Sequence, residues 1–191
     1  MGPGDGMSGA GFERRARRVA YENPWLRFDV HEIVHPNGLR GEHGVVVTAG
    51  ASGVVAVDGD AVLLVRQARF AAGAPVVEIV KGGRHAGESA RDCAKRELRE
   101  ESGFRAERWD ELGRGFEIPS IVEPPVMLFL ARDLVRDPTP PEDIESIEVV
   151  RMPLEDMLDA CAGGEIDDAL TALALLRARR HLVDEEPVPG P

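Results

Sequence analysis

The stretch 88–102, ESARDCAKRELREES, constrains this chain more than any other part of it. Ala90, Ala94, Glu97, Leu98 and Glu101 fall at i, i+4, i+7, i+8 and i+11, one continuous stripe along a helix that Gly103 stops. Arg91, Asp92, Lys95 and Arg99 occupy the opposite side. A core-facing stripe that runs into two carboxylates, with Glu100 three residues beyond Glu97, has two physical resolutions. Either the carboxylates are buried together, which requires a neutralising cation or protonation, or that end is exposed and they pair with arginines such as Arg96 and Arg105. The helix alone leaves both open.

Its surroundings set the fold class. Residues 25–35 alternate apolar and polar as a half-buried strand does, and Pro36-Asn37-Gly38 turns the chain. Runs rich in Val, Leu and Ala follow at 45–48, 53–57 and 61–65, the last two separated by Asp58-Gly59 as a hairpin turn. Val76–Val80 is a further apolar run interrupted by Glu78. Strands are expected again at 115–118, 126–131 and 147–152, then a helix opening at Pro153 and ending at Gly163-Gly164, and a last helix over Asp167–Leu182. Strands, helix, strands, helices imply an α/β (α+β) domain in which a mixed sheet is sandwiched between helices. The basic run Arg14–Arg18 reads as a solvated helix turn or a frayed arm.

Size and charge remove several classes of function. With 191 residues the chain fits one domain with small extensions, and no apolar run approaches the roughly 20 residues of a membrane-spanning helix. The formal charge is −11, and residues 101–191 hold 21 acidic against 9 basic groups, which argues against a nucleic-acid partner. Cys93 and Cys161 form neither a zinc motif nor a disulfide framework, and the Gly-rich start lacks the apolar core of a signal peptide, so the cytoplasm is the expected compartment. His31, His35, His43, His85 and His181 are scattered and read as surface or satisfied residues; Trp25 and Phe28 read as packing or dimer contacts.

The segment from Gly82 onward decides the class. Gly82, Glu88 after five residues, Arg96-Glu97-Leu98 after seven more, then Glu100-Glu101 and Gly103-Phe104 reproduce Gly-x5-Glu-x7-Arg-Glu-apolar-x-Glu-Glu-x-Gly-apolar at every specified position. This resembles the signature of the Nudix hydrolase superfamily. The resemblance implies the Nudix fold, with a divalent cation, Mg²⁺ or alternatively Mn²⁺, held by Glu97 and Glu101, by Glu100 as a further ligand, and by the backbone carbonyl at Lys81. Gly82, Glu88, Arg96 and Gly103 take structural roles in the same pattern.

Beyond that box, roughly residues 22–182 are similar to the ADP-ribose pyrophosphatase and ADP-compound hydrolase branch of the superfamily. The similarity rests on Asn23-Pro24-Trp25-Leu26, on Pro119-Ser120, 16 residues past Gly103, and on Leu128–Leu134, Arg151–Leu154 and Gly164–Ala169. It implies that Arg69, Glu78, Pro119 and Ser120 contact substrate, and that a loop glutamate acts as catalytic base: Glu145, with Glu142 and Asp143 as its neighbours and alternatives, while Glu100 is carried in the catalytic set as well. Lys81 stands where such relatives carry Ala, Pro or Ser. The organisation implied is a disordered lead (1–12), an N-terminal antiparallel strand extension through which a homodimer forms (13–50), the hydrolase domain (51–183) and a disordered tail (184–191). The function implied is cleavage of the diphosphate in ADP-ribose or a related ADP compound to AMP and a phosphorylated product. The alternatives are a GDP-mannose-type nucleotide-sugar hydrolase, a dinucleotide hydrolase and a non-catalytic nucleotide-binding module.

Overall fold

The computed structural model describes residues 11–138 and 147–183. They divide into two compact units, one made of the residues up to 49 with 118–125, the other of 50–117 with those from 126 onward. Elements are numbered in chain order.

In the first unit, β1 (Glu13–Glu22), β2 (Leu26–Val34), β3 (Arg40–Thr48) and the short β9 (Val122–Glu123) form a four-stranded sheet in that order. The first three are antiparallel and β9 is parallel to β3. Asn23 makes the first turn by accepting the backbone N–H of Trp25 and Leu26 at 2.9 and 2.8 Å. The second turn closes with Gly38 N–H on His35 O at 2.8 Å, and Gly38 has a φ of 84°, which suits glycine. Asp29 on β2 is buried and takes Arg27 Nε at 2.8 Å and Nη2 at 3.0 Å, a bond that holds its carboxyl below the usual range despite burial.

Arg14–Arg18 is neither a helix turn nor a frayed arm: it lies within β1, where cross-strand pairing outweighs the helix-friendly composition. Arg17 pairs with His31 in register and sends its guanidinium to Asp29 at 3.5 Å; Arg18 approaches Glu42 at 3.7 Å. A run of exposed arginines also suits an edge strand, where charge discourages indiscriminate pairing.

The second unit is built on a mixed sheet. Its strands are β4 (Ala51–Asp58), β5 (Ala61–Arg69), β6 (Ala74–Glu78), β7 (Val80–Gly83), β8 (Phe104–Gly115), β10 (Val126–Arg136) and β11 (Glu148–Pro153), in the order β11-β5-β4-β10-β8. Only β10 runs parallel to its neighbour β4; the other pairs are antiparallel. The hairpin at Asp58-Gly59 forms as expected, but β4 and β5 pair directly only from Ala56 to Asp58. Beyond that point β6 bonds to β5 and β7 bonds to β4, so the chain from 74 to 83 fills the opening between diverging strands. Glu78, Lys81 and Gly82 are thereby delivered to the middle of the sheet.

Helix α1 (Ala90–Ser102) covers one face, packing Ala94 and Leu98 on Val54, Ala56, Leu63, Val65, Val80, Phe129 and Ala131. Helices α2 (Met157–Gly163) and α3 (Ala169–Val183) cover the other, where Met157, Leu170, Ala174, Leu175 and Ala178 meet Val55, Val57, Val62, Leu64, Leu128 and Leu130. The central strands are buried on both faces, which is why they read as unbroken apolar runs. Two expectations are corrected. The strand placed at 115–118 is β8 over 104–115, whose charged, half-exposed sequence hid it. Pro153 ends β11 instead of opening a helix, because Leu154 N–H is still bonded to Asp60 O, and α2 begins at Met157.

One buried hydroxyl ties α3 to the sheet. Thr171 Oγ1 accepts Ile79 N–H at 2.9 Å and donates to Asp168 Oδ2 at 2.6 Å, with Thr171 fully enclosed. Thr171→Val keeps the shape but strands a buried N–H, a loss of about 1–3 kcal/mol. A urea titration should show the midpoint falling with an unchanged slope; an unmoved midpoint would mean the bond adds nothing.

Candidate active site

The site grows from the loop between β7 and α1. Ser89 caps the helix by accepting Asp92 N–H at 3.1 Å, and Gly103, with a φ of 71°, ends it with its N–H on Arg99 O. Between these caps the helix holds Arg96, and the loop wraps around its guanidinium. Glu88 takes Arg96 Nε at 2.9 Å and Nη2 at 3.0 Å, while Gly83 O accepts Nη2 at 2.8 Å. Nη1 reaches Glu97 Oε1 at 2.7 Å and Glu100 Oε2 at 2.8 Å. The His85 N–H adds a bond to Glu88 at 2.9 Å. The Arg96 bonds, with that backbone bond, pull the Glu88 carboxyl down to about 2 from an ordinary 4.5.

Glu97 is buried, and Gly82 makes room for it. A Cβ on Gly82 would lie 2.1–2.3 Å from the Glu97 carboxylate atoms, so the carboxylate occupies the space a side chain would fill. Burial raises the Glu97 carboxyl even against the Arg96 bond. One helical turn on, Glu101 Oε2 accepts Lys81 N–H at 3.2 Å. Burial first and the charge of Glu97 second push Glu101 up to about 8. Both resolutions of the helix stripe are therefore present at once: Glu97 and Glu100 pair with Arg96, while Glu97 is buried and Glu101 half-buried beside it. Arg105, the other expected partner, pairs with Glu107 instead.

This donor set fits a hard divalent cation. Among the described residues no three acidic, His or Cys side chains already converge as a cage, since Glu100 is turned onto Arg96. What remains is a carboxylate pair, both oxygen donors, in which desolvation and the charge of Glu97 make Glu101 resist ionising despite the nearby Arg69. That resistance is what a cation with oxygen preference overcomes.

A second charged cluster adjoins Glu101. Glu78, almost fully enclosed, takes Arg69 Nε at 2.7 Å and Lys81 Nζ at 2.9 Å. Lys81 Nζ also reaches Asp168 Oδ1 at 2.8 Å, and Asp168 Oδ2 accepts Thr171 N–H at 2.9 Å at the start of α3. Burial opposes charge on both Lys81 and Asp168, yet their mutual bond wins: the ammonium is raised and the carboxyl lowered. The side chain of Lys81 and the residues Asp168 and Thr171 were not foreseen. Asp168 three residues before Thr171 is a helix-start pattern, but nothing in the sequence links it to a lysine 87 positions earlier.

Pro119 and Ser120 belong to the N-terminal unit, where the His43 ring nitrogen Nε2 donates to Ser120 O at 2.7 Å. Glu142, Asp143 and Glu145 lie outside the described residues.

The box geometry has a counterpart in known proteins: residues 47–173 match the family model described as NUDIX domain. The chain belongs to the Nudix family. An ADP-ribose pyrophosphatase of Bacillus subtilis (strain 168) is 32% identical over 163 residues, covering 84% of this chain and 88% of the relative. The ADP compounds hydrolase NudE of Escherichia coli (strain K12) is 30% identical over 131 residues, 68% of this chain and 69% of that one. Among solved structures, an ADP compounds hydrolase superposes with a TM-score of 0.82 over 93% of this chain and 97% of its own, at 23% identity. That likeness establishes the fold, a Nudix α+β sandwich. The chain is accordingly a Nudix pyrophosphohydrolase.

The Glu88–Arg96 pair predicts an acid limb for this Nudix domain. Its folded value lies below the ordinary one, so the pair stabilises the fold above about pH 4.5 and the contribution is lost as pH falls toward 2. Glu88→Gln should cost about 2–3 kcal/mol at pH 7, with the difference from the parent closing between pH 4.5 and 2. Chemical denaturation at a series of pH values measures it; a gap independent of pH would contradict this account.

Proposed function

We propose that this Nudix enzyme hydrolyses ADP-ribose and related ADP compounds, releasing AMP and a phosphorylated partner such as ribose 5-phosphate. The observation that carries the reading is the buried Glu97 carboxylate in the Gly82 gap with half-buried Glu101 one helical turn on, in a chain whose curated relatives act on such compounds by name. Glu97 and Glu101 would hold Mg²⁺, or Mn²⁺ in its place, with Glu100 and the Lys81 backbone carbonyl completing the protein ligands. When bound, the ion supplies positive charge to the phosphate oxygens as the diphosphate is attacked. Arg69, already oriented by Glu78 at 2.7 Å, faces the diphosphate as a fixed cation. Glu145 takes the proton of the attacking water; the hydroxyl joins one phosphorus and the bridging oxygen leaves with the other. Pro119 and Ser120 contribute to substrate choice. The enzyme works in the cytoplasm as a homodimer joined through the 13–50 strands, and residues 51–183 carry the catalytic machinery.

Nucleoside monophosphate release, AMP from ADP-ribose and diadenosine triphosphate and GMP from GDP-mannose, with Mg²⁺, with Mn²⁺ and with EDTA, tests this directly. Turnover should require the cation and be fastest on the ADP compounds. Glu97→Gln and Glu101→Gln should each lower kcat on the order of 100-fold or more, and Glu145→Gln by about 100-fold or more without altering the half-saturating cation concentration. Preference for the guanine nucleotide sugar would overturn the substrate assignment. A damaging Glu142→Gln beside a harmless Glu145→Gln would move the base.

A further inference from the structure

Gln67 is buried at 5% exposure in the last third of β5, yet its side-chain Nε2 has no hydrogen-bond partner among the described residues. An amide donor in that condition is destabilising, since it surrenders its water without replacement. An aliphatic residue would pack there at no such cost, so the amide calls for a use in another state of the protein.

The register of the β5–β6 hairpin shows which face it occupies. Val65 pairs with Glu78, Gln67 with Val76 and Arg69 with Ala74, so Val65, Gln67, Arg69 and Glu78 stand on one face. That face is the one α1 covers, because Leu63 and Val65 pack with Ala94 and Leu98. Arg69 and Glu78 are close enough to Glu101 to act on its charge. Gln67 therefore sits between the apolar floor under α1 and the Arg69–Glu78 pair. Arg69 has its carboxylate and Lys81 has two, while the neighbouring amide has none.

We propose that Gln67 is a substrate-binding residue, its Nε2 donating to an oxygen acceptor of the bound nucleoside diphosphate compound next to Arg69. This rests on the proposed hydrolase reading for the identity of the ligand, and on the geometry above for the residue. A donor kept unpaired in the free protein and paired in the complex trades fold stability for affinity. A contact of this kind adds to ground-state and transition-state binding alike, so it is expressed in KM.

The discriminating experiment substitutes Gln67→Met, which keeps the length and apolar volume and removes the amide. It measures thermal stability of the free protein, KM and kcat for ADP-ribose, and calorimetric affinity for ADP-ribose in EDTA. The expected result is a melting temperature equal to or above that of the parent, KM and Kd raised about tenfold, and kcat within about threefold. Gln67→Glu, which presents acceptors only and adds a negative charge, should raise KM further. Unchanged KM and Kd in Gln67→Met overturn the proposal whatever the melting temperature does. A raised KM accompanied by a lowered melting temperature and an equally lowered kcat overturns it too, since that pattern marks a structural amide. If the parent binds ADP-ribose without turning it over, the hydrolase reading fails while the calorimetric arm still decides Gln67. If the parent neither binds nor turns it over, both fall together.

Discussion

The guanidinium of Arg96 is where this site is assembled. Three carboxylates and a backbone carbonyl from both sides of the turn between β7 and α1 converge on it. A planar cation with several donors in a fixed fork is suited to this, and a lysine would not be, because a point charge cannot direct bonds along so many separate lines. The consequence is geometric. Glu88 lies eight residues from Arg96, and Gly83 thirteen, so the arginine closes the loop on the helix and fixes where Gly82 and Glu97 meet. Gly82 then has no freedom to be anything else, since a side chain would displace the carboxylate.

The second cluster works on the same segment from the other end. Lys81 precedes Gly82 and joins Glu78 on β6 to Asp168 at the start of α3, while its backbone N–H holds Glu101. Breaking a buried pair is costly because one charge is left uncompensated, roughly 3–5 kcal/mol for a single partner. Here the partners are shared: Glu78 serves Arg69 and Lys81, and Asp168 serves Lys81 and Thr171. Sharing makes the positions of β5, β7 and α3 interdependent. The two clusters differ in what they leave over. Around Arg96 each carboxylate has a direct guanidinium bond, whereas Glu101 accepts a backbone N–H, is repelled by Glu97 and feels Arg69 without bonding to it.

Much of this was legible in the sequence because it follows from local rules. Strand and helix order came from periodicity, the end of α1 from Gly103, and the box from its resemblance to the Nudix signature. What was missed has a common cause. β8 alternates apolar and charged residues only loosely and slips at the irregularity opposite Leu128–Phe129, so its pattern is broken where it would be read. Arg14–Arg18 has the composition of a helix face and becomes a strand because β2 is already in place to pair with it. In each instance a partner distant in sequence overrode the local preference.

Buried polar side chains are the extreme of that rule. Lys81, at the end of an apolar run, stands out as a misfit until the groups around it are known. For Lys81 those groups are carboxylates 3 and 87 positions away, and the misfit becomes a joint. Gln67 Nε2, by contrast, has no hydrogen-bond partner among the described residues, although Arg69 two positions along the same face is bonded to Glu78. A sequence specifies a single structure when every local choice agrees with the global one, and the positions that disagree are where function is held. Lys81 stops disagreeing once the fold is assembled. Gln67 does not, which is what separates a residue that the fold needs from one that the fold merely tolerates.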